Sequence, residues 1–492
     1  MVPWNHDGEG AERLDTASTR IETRAYQPTR RTDMDTSPTR TDGPSIFWAQ
    51  LLLLAVTAAA WGGTLSGGFR FDDLPNLVHD PATSQAAVFW DRLAWGVRPL
   101  LRGSYFLDHA LWGMRPFGFL LTQLILHGLC VLGVHRLART RLGEEPAALA
   151  AGLCFALQPA HAEAVAYVSG RSALLSTALL VAGLLAHERA RRGGRGWRAA
   201  SIAAFVLACL ARETALVFPL LLVLWEVTRP DAGGRPPELR RGRLPVLLAT
   251  GATLLLLLSL RTYRDLFGFS WALRGPLDNL GLHLSALPGL LSLWLRPGAL
   301  SPVHAAPAAG GLPIALGSAL AAALLASALF LRRRAPVAAL AAGWVLVALT
   351  PTHTIFSRLD ILTERVLYLA WIGPCLLLGR LAGCAWAAPR WRRALLPTAA
   401  AVLGLAGWAA VNRVRVWTDE VRLWTDTVAK APRSSLAWNN LGAARRDAGD
   451  LPGAARDFRH ALALDPANRT ARFNLMTMEF TTPAATLRGR EP

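Results

Sequence analysis

Eleven apolar blocks separated by short polar connections constrain this chain more than any other feature. They fall at about 46–66, 117–136, 146–160, 171–188, 199–211, 213–227, 244–261, 312–331, 335–351, 366–384 and 394–411. Inside hydrocarbon the backbone has no water to bond, so apolar runs of this kind are satisfied as helices crossing a bilayer. Composition agrees: 52% of the residues are hydrophobic and only 17% charged, where a soluble domain is roughly a quarter charged. The expected fold is all-α, a polytopic membrane helical bundle of about eleven transmembrane helices.

A net charge of +18 would suggest nucleic acid in a soluble protein. Here the arginines cluster between apolar blocks, which is the pattern of cytoplasmic loops, so nucleic acid is not an expected partner. Arg30, Arg31 and Arg40 place the N-terminus inside, as do Arg136, Arg139 and Arg141, Arg332 to Arg334, and Arg390, Arg392 and Arg393 for their own loops. Arginines flank the stretch 199–227 on both sides, so it must go out and return, with Arg212 and Glu213 at the outer tip. If the run at 281–295 spanned, Arg332 to Arg334 would lie outside; it is therefore expected to be a re-entrant or surface element. The C-terminus then lies outside. Residues 1–44, rich in Thr, Arg, Asp and Pro, form an expected disordered cytoplasmic tail. Lys430 is the single lysine, a bias that points to a GC-rich bacterial genome and hence to an inner (plasma) membrane. The five cysteines lie in or beside apolar stretches without paired spacing, as small buried residues do.

This topology puts the unusual polar residues on one face. Asp72 and Asp73 follow the first apolar block, where two adjacent carboxylates are costly unless something uses them. The bland reading is a turn or helix cap. Arg98 shares their loop. His161 and Glu163 could be mistaken for half a metal site, but no partner stands at ligand spacing. Arg171 opens a helix, where free N–H groups and a guanidinium suit an anion; the alternative is a snorkelling arginine. Arg212 and Glu213 read most simply as a self-satisfied pair, and Glu364–Arg365 begins another helix at the same boundary. His127, alone on an apolar face, reads as a packed residue. Acids can accept a proton from a hydroxyl, and arginines can hold a phosphate leaving group.

Beyond residue 412 the chain becomes amphipathic. Trp438, Leu441, Gly442, Ala454, Phe458, Ala461 and Pro466 match the tetratricopeptide (TPR) template of about 34 residues, with Arg445 in place of its usual Tyr. Pro432 and Leu475 mark flanking half-repeats. The expected division is a tail at 1–44, a membrane domain at 45–411 and an extracytoplasmic repeat domain at 412–492.

The ordered set Phe71-Asp72-Asp73-x-Pro75-Asn76, Arg98-Pro99-Leu100, Pro116-Phe117-Gly118, His127, Glu163 to Ser172, Arg212-Glu213-Thr214-Ala215 and Glu364-Arg365-x-x-Tyr368-Leu369, with the trailing repeat, resembles the transmembrane and tetratricopeptide-repeat O-mannosyltransferase-like family over about 46–475. Gln158 and Arg212 depart from it, standing where His and Lys are usual. The resemblance implies a GT-C glycosyltransferase with its catalytic acid in the first extracytoplasmic loop, an inverting mechanism and a polyprenyl-phosphate donor, commonly of mannose. It implies Asp72 as base or acceptor-positioning acid, Asp73 in support, Arg171 and Arg365 at the donor phosphate, Glu213 and Glu364 orienting arginines, and Arg98, His161, Glu163 and Arg212 lining the substrate site. It implies no metal or other cofactor. Its expected partners are the polyprenyl-phosphate sugar, an acceptor protein or glycan, membrane lipid and a protein at the repeat. A non-catalytic membrane scaffold that recruits proteins through the repeat is the alternative.

Overall fold

The computed structural model describes residues 43–229, 239–305, 310–352 and 361–481, and every regular element among them is helical. The expected tail at 1–44 lies almost wholly outside the described residues. A helix stands at each of the eleven apolar blocks. Four of these helices are long and apolar enough to cross a membrane alone: Ser45–Ser66, Pro116–Leu142, Val168–Arg191 and Gly311–Phe330. A fifth crossing is available if Glu364–Ala370 and Ile372–Ala387, bent by 48°, act as one broken span. The chain is thus a multi-pass helical membrane protein.

The helix Pro116–Leu142 shows why the sequence builds such spans. Pro116 sits in its first turn, where a missing N–H costs nothing, and Gly143 ends it at φ 79°. Its 27 residues reach about 40 Å at 1.5 Å per residue. His127 is buried in it among Trp61, Phe155, His161 and Tyr368, with its Nδ1 2.7 Å from the Tyr368 hydroxyl, which agrees with the packed-residue reading.

The stretch 199–227 forms two legs, Arg195–Ala211 and Phe218–Val227. Ionic contacts tie the end of the second leg to the end of Arg171–Arg191: Glu226 meets Arg191 and His187, and Glu188 meets Arg229. These ends therefore share one side, as an out-and-back hairpin requires. The return leg has only ten residues, about 15 Å, half the hydrocarbon thickness. The run at 281–295 falls, up to Ser292, in a 17-residue helix, Pro276–Ser292, packed against Gly311–Phe330.

The expected domain boundary at 412 falls inside one helix, Pro389–Trp417. Four amphipathic helices follow: Glu420–Lys430, Ser435–Asp447, Leu451–Leu464 and Arg469–Thr481. Ser434 and Asp450 cap the middle pair through their side chains. Gly442 lets that pair close, since a β-carbon there would lie 2.8 Å from the Phe458 ring. Leu441, Ala454, Phe458 and Ala461 are buried, while Trp438 is half-buried against His460 and Pro466 lies in the exposed turn before the last helix.

Candidate active site

The first apolar helix gives way to a tight turn at Arg70–Asp73. The Asp73 N–H donates to the Arg70 carbonyl at 2.6 Å, and the Arg70 N–H donates back to Asp73 Oδ2 at 3.1 Å. Asp73 Oδ1 accepts from the Ser169 N–H at 2.8 Å and its hydroxyl at 2.5 Å. Asp73 is thereby fully buried and held from two loops. Burial pushes its carboxyl up to about 6, against the opposing pull of the Ser169 and Arg70 hydrogen bonds. Asp72, one residue earlier, is exposed, and its carboxylate has no hydrogen-bond or ion-pair partner among the described residues. Two adjacent acids thus have separate environments: one anchors the turn and the other faces solvent.

Arg98, just before the helix Pro99–Trp112, has an unusual backbone. At φ 56° and ψ 60° it is the single non-glycine residue with positive φ among those described, and it precedes Pro99. A left-handed residue at such a position costs about 1–3 kcal/mol unless its surroundings hold it. Here the Tyr263 hydroxyl accepts from its N–H at 3.2 Å, and Glu213 grips the guanidinium bidentately at 2.9 and 2.5 Å. The expected Arg212–Glu213 self-pair is therefore corrected. Glu213 reaches Arg98 in another loop, and Arg212 is buried with its guanidinium on the Ser172 hydroxyl.

Arg365 donates its backbone N–H to Glu163 Oε2 at 2.9 Å, and its Nε lies 2.8 Å from Oε1. Glu163, not Glu364, therefore orients this arginine. Glu364 turns away and accepts from the Ser301 N–H and from His304, which fixes the loop at 301–304. A cavity of about 600 Å³ opens beside that loop, lined by Arg296, Ser301, His304 and Lys430 among others.

Two further expectations are corrected. Arg171 is wholly buried, and its guanidinium is spent on the protein: on Asp108 at 2.6 Å, the Phe119 carbonyl at 2.8 Å, Ser104 at 3.2 Å and Gln123 at 3.3 Å, over the Tyr105 ring. No donor is left for a phosphate. His161 is also fully buried, wedged between Phe155 and Tyr368, and reaches no substrate surface.

Two arginine–carboxylate pairs, Arg98 with Glu213 and Arg365 with Glu163, form between loops. The Tyr167 hydroxyl lies within electrostatic range of Asp72, Asp73 and Arg365, and that of Tyr105 within range of Asp73, Arg98 and Arg365. Contacts join loops 96, 115, 165 and 202 residues apart in sequence. Ser169, Tyr263, Asp108 and Arg70 hold these side chains and were not singled out by the sequence. Ser169 lay within a quoted motif; nothing marked the other three as partners.

Several curated proteins are similar to parts of this chain. Protein O-mannosyl-transferase Tmtc1 of Drosophila melanogaster is 31% identical over 183 residues, 34% of this chain and 21% of its own length. Tmtc2 of the same organism is 34% identical over 193 residues, 35% of this chain and 20% of its own. The human protein O-mannosyl-transferase TMTC1 aligns over 90% of this chain and 58% of its own length at 24% identity. The chain is similar to the protein O-mannosyl-transferases. It spans about a fifth of the length of the two fly relatives. No family model matches it. Among solved structures, ArnT from Cupriavidus metallidurans bound to undecaprenyl phosphate aligns over 89% of this chain and 78% of its own with a TM-score of 0.46 at 17% identity.

Proposed function

We propose that the protein is a membrane glycosyltransferase of GT-C type that moves mannose from a polyprenyl phosphate to a Ser/Thr or other hydroxyl acceptor outside the cytoplasm. The observation that carries this reading is the division between an exposed Asp72, whose carboxylate has no hydrogen-bond or ion-pair partner among the described residues, and a buried, anchored Asp73, together with two arginines that carboxylates orient in other loops. The relatives' names supply the sugar and the acceptor class.

In the proposed reaction the acceptor oxygen bonds to the anomeric carbon as its proton passes to Asp72. The bond from that carbon to the phosphate oxygen breaks, and the lipid phosphate departs. Attack from the opposite face inverts the centre. Arg98 and Arg365 balance the charge developing on the phosphate, already aimed by Glu213 and Glu163. The lipid-linked sugar is a substrate, and the reading requires no resident cofactor. In the same proposal about eleven segments cross an inner membrane, the N-terminus is cytoplasmic, and the helices after 412 lie outside as a TPR-like module open to an acceptor or partner protein.

Mass spectrometry of exported proteins from cells with wild type, no copy, or Asp72→Asn tests this. Hexose on Ser/Thr should be present only with wild type; identical glycosylation in all three would overturn it. The acid limb of transfer should also report Asp73. Above about pH 6 its carboxylate accepts the Arg70 and Ser169 donors; below it, protonation loosens the turn and kcat/KM falls. Ser169→Ala removes a hydrogen bond that lowers this pKa, so the limb should move to higher pH.

A further inference from the structure

We propose that Trp424 is a positioning residue for the acidic turn, so that the first helix after the long helix Pro389–Trp417 is part of the active centre. This rests on the glycosyltransferase reading for its catalytic meaning but on independent geometry for its structural content.

Phe71, adjacent to Asp72, joins two apolar cores. Its ring stacks on Tyr167 of the membrane bundle with centroids 4.7 Å apart at 16°, and Tyr167 stacks in turn on Trp417 at 5.8 Å. Phe71 also makes a T-shaped contact with Trp424, at 5.3 Å and 70°. Trp424 is buried in the cluster with Val428, Ala437, Leu441 and Ala444 that starts the amphipathic helices. Phe71 therefore packs against the membrane core and against this second cluster at once. Charge follows the same path. The buried Arg70 guanidinium donates to the Ala166 carbonyl at 3.0 Å and lies in the field of Asp73, Asp419 and Glu420.

Asp73 fixes one side of the turn through Ser169, but the Asp72 carboxylate has no hydrogen-bond or ion-pair partner among the described residues, and Asp72 is tied only through its backbone carbonyl, which accepts from the Asn76 N–H at 3.2 Å. Its position depends on the residue before it. Phe71 holds Asp72 in place while its ring is packed between Tyr167 and Trp424. Two further contacts seat the same helix on its neighbours: Lys430 Nζ donates to the Leu300 carbonyl at 2.8 Å, and Arg413 of the helix Pro389–Trp417 meets Asp426 at 2.7 Å. Whatever shifts this helix, including a protein seated on the helices behind it, shifts the base.

Three full-length variants in lipid nanodiscs test this: Trp424→Leu, Trp424→Phe, and Val428→Ala, which damages the same cluster without being an aromatic partner of Phe71. Hydrogen exchange of the amides at 70–74 is read alongside transfer from undecaprenyl-phosphate mannose. Trp424→Leu should speed exchange about tenfold in that segment and lower kcat about 10- to 100-fold with donor KM unchanged. Trp424→Phe should restore both, and Val428→Ala should change neither. Unchanged exchange in Trp424→Leu, or the same loss in Val428→Ala, overturns the positioning role whatever the transfer assay shows. Faster exchange in Trp424→Leu with no transfer by wild type keeps the clamp and overturns the glycosyltransferase reading instead.

Discussion

Asp72→Asn is expected to lower transfer from a polyprenyl-phosphate mannose by about 10²- to 10⁴-fold, the usual worth of a positioned general base. Protein level and thermal midpoint should stay near wild type. The substitution removes a carboxylate that no described residue contacts, and it conserves shape in an exposed turn. Asp73→Asn should behave differently. The buried Asp73 carboxylate accepts from three donors on its two oxygens, and Asn keeps one acceptor oxygen but sets an NH2 against the donors of the other, so Asp73→Asn should cost folded protein as well as rate. A purified Asp72→Asn protein with wild-type turnover would show that the exposed acid is not the base.

Arg171→Met is expected to act on folding. Its guanidinium and Asp108 are both buried and lie 2.6 Å apart, and breaking such a pair by removing one partner costs about 3–5 kcal/mol. The penalty arises because Asp108 would keep a charge with no water and no cation beside it. The double variant Arg171→Met/Asp108→Leu should recover part of the loss, since it removes both charges at once. Thermal midpoints in detergent measure all three proteins. If Arg171→Met folded with a normal midpoint and lost donor affinity alone, the guanidinium would be a phosphate ligand after all.

The sequence made the helical membrane class and the likeness of its motifs legible because both depend on local patterns. Apolar length and arginine clusters carry the first, and fixed short motifs such as Phe71-Asp72-Asp73 carry the second. Which loops bring polar residues together was also legible: Asp73 with Ser169, Arg98 with Glu213 and Glu163 with Arg365 all join loops assigned to one face. The pairing itself was not. Arg212 and Glu213 are neighbours in sequence, yet an extended backbone at Arg212 sends the two side chains to different partners. Arg171 resembled an anion site because nothing local shows Asp108, 63 residues earlier, arriving on another helix. The eleven apolar blocks did not fix the number of spans either. Several of their helices are too short to cross unaided, and their length became visible only where the helices end.

Everything proposed depends on Asp72, the arginine-bearing loops and the amphipathic helices after 412 occupying one compartment. Single cysteines at Asn76, Arg456 and Arg332, introduced after replacing the five native cysteines, report this directly when intact cells meet an impermeant maleimide. Asn76→Cys and Arg456→Cys should both label from outside, and Arg332→Cys only after permeabilisation. Labelling of Arg456→Cys only after permeabilisation, with Asn76→Cys reactive from outside, would contradict the account.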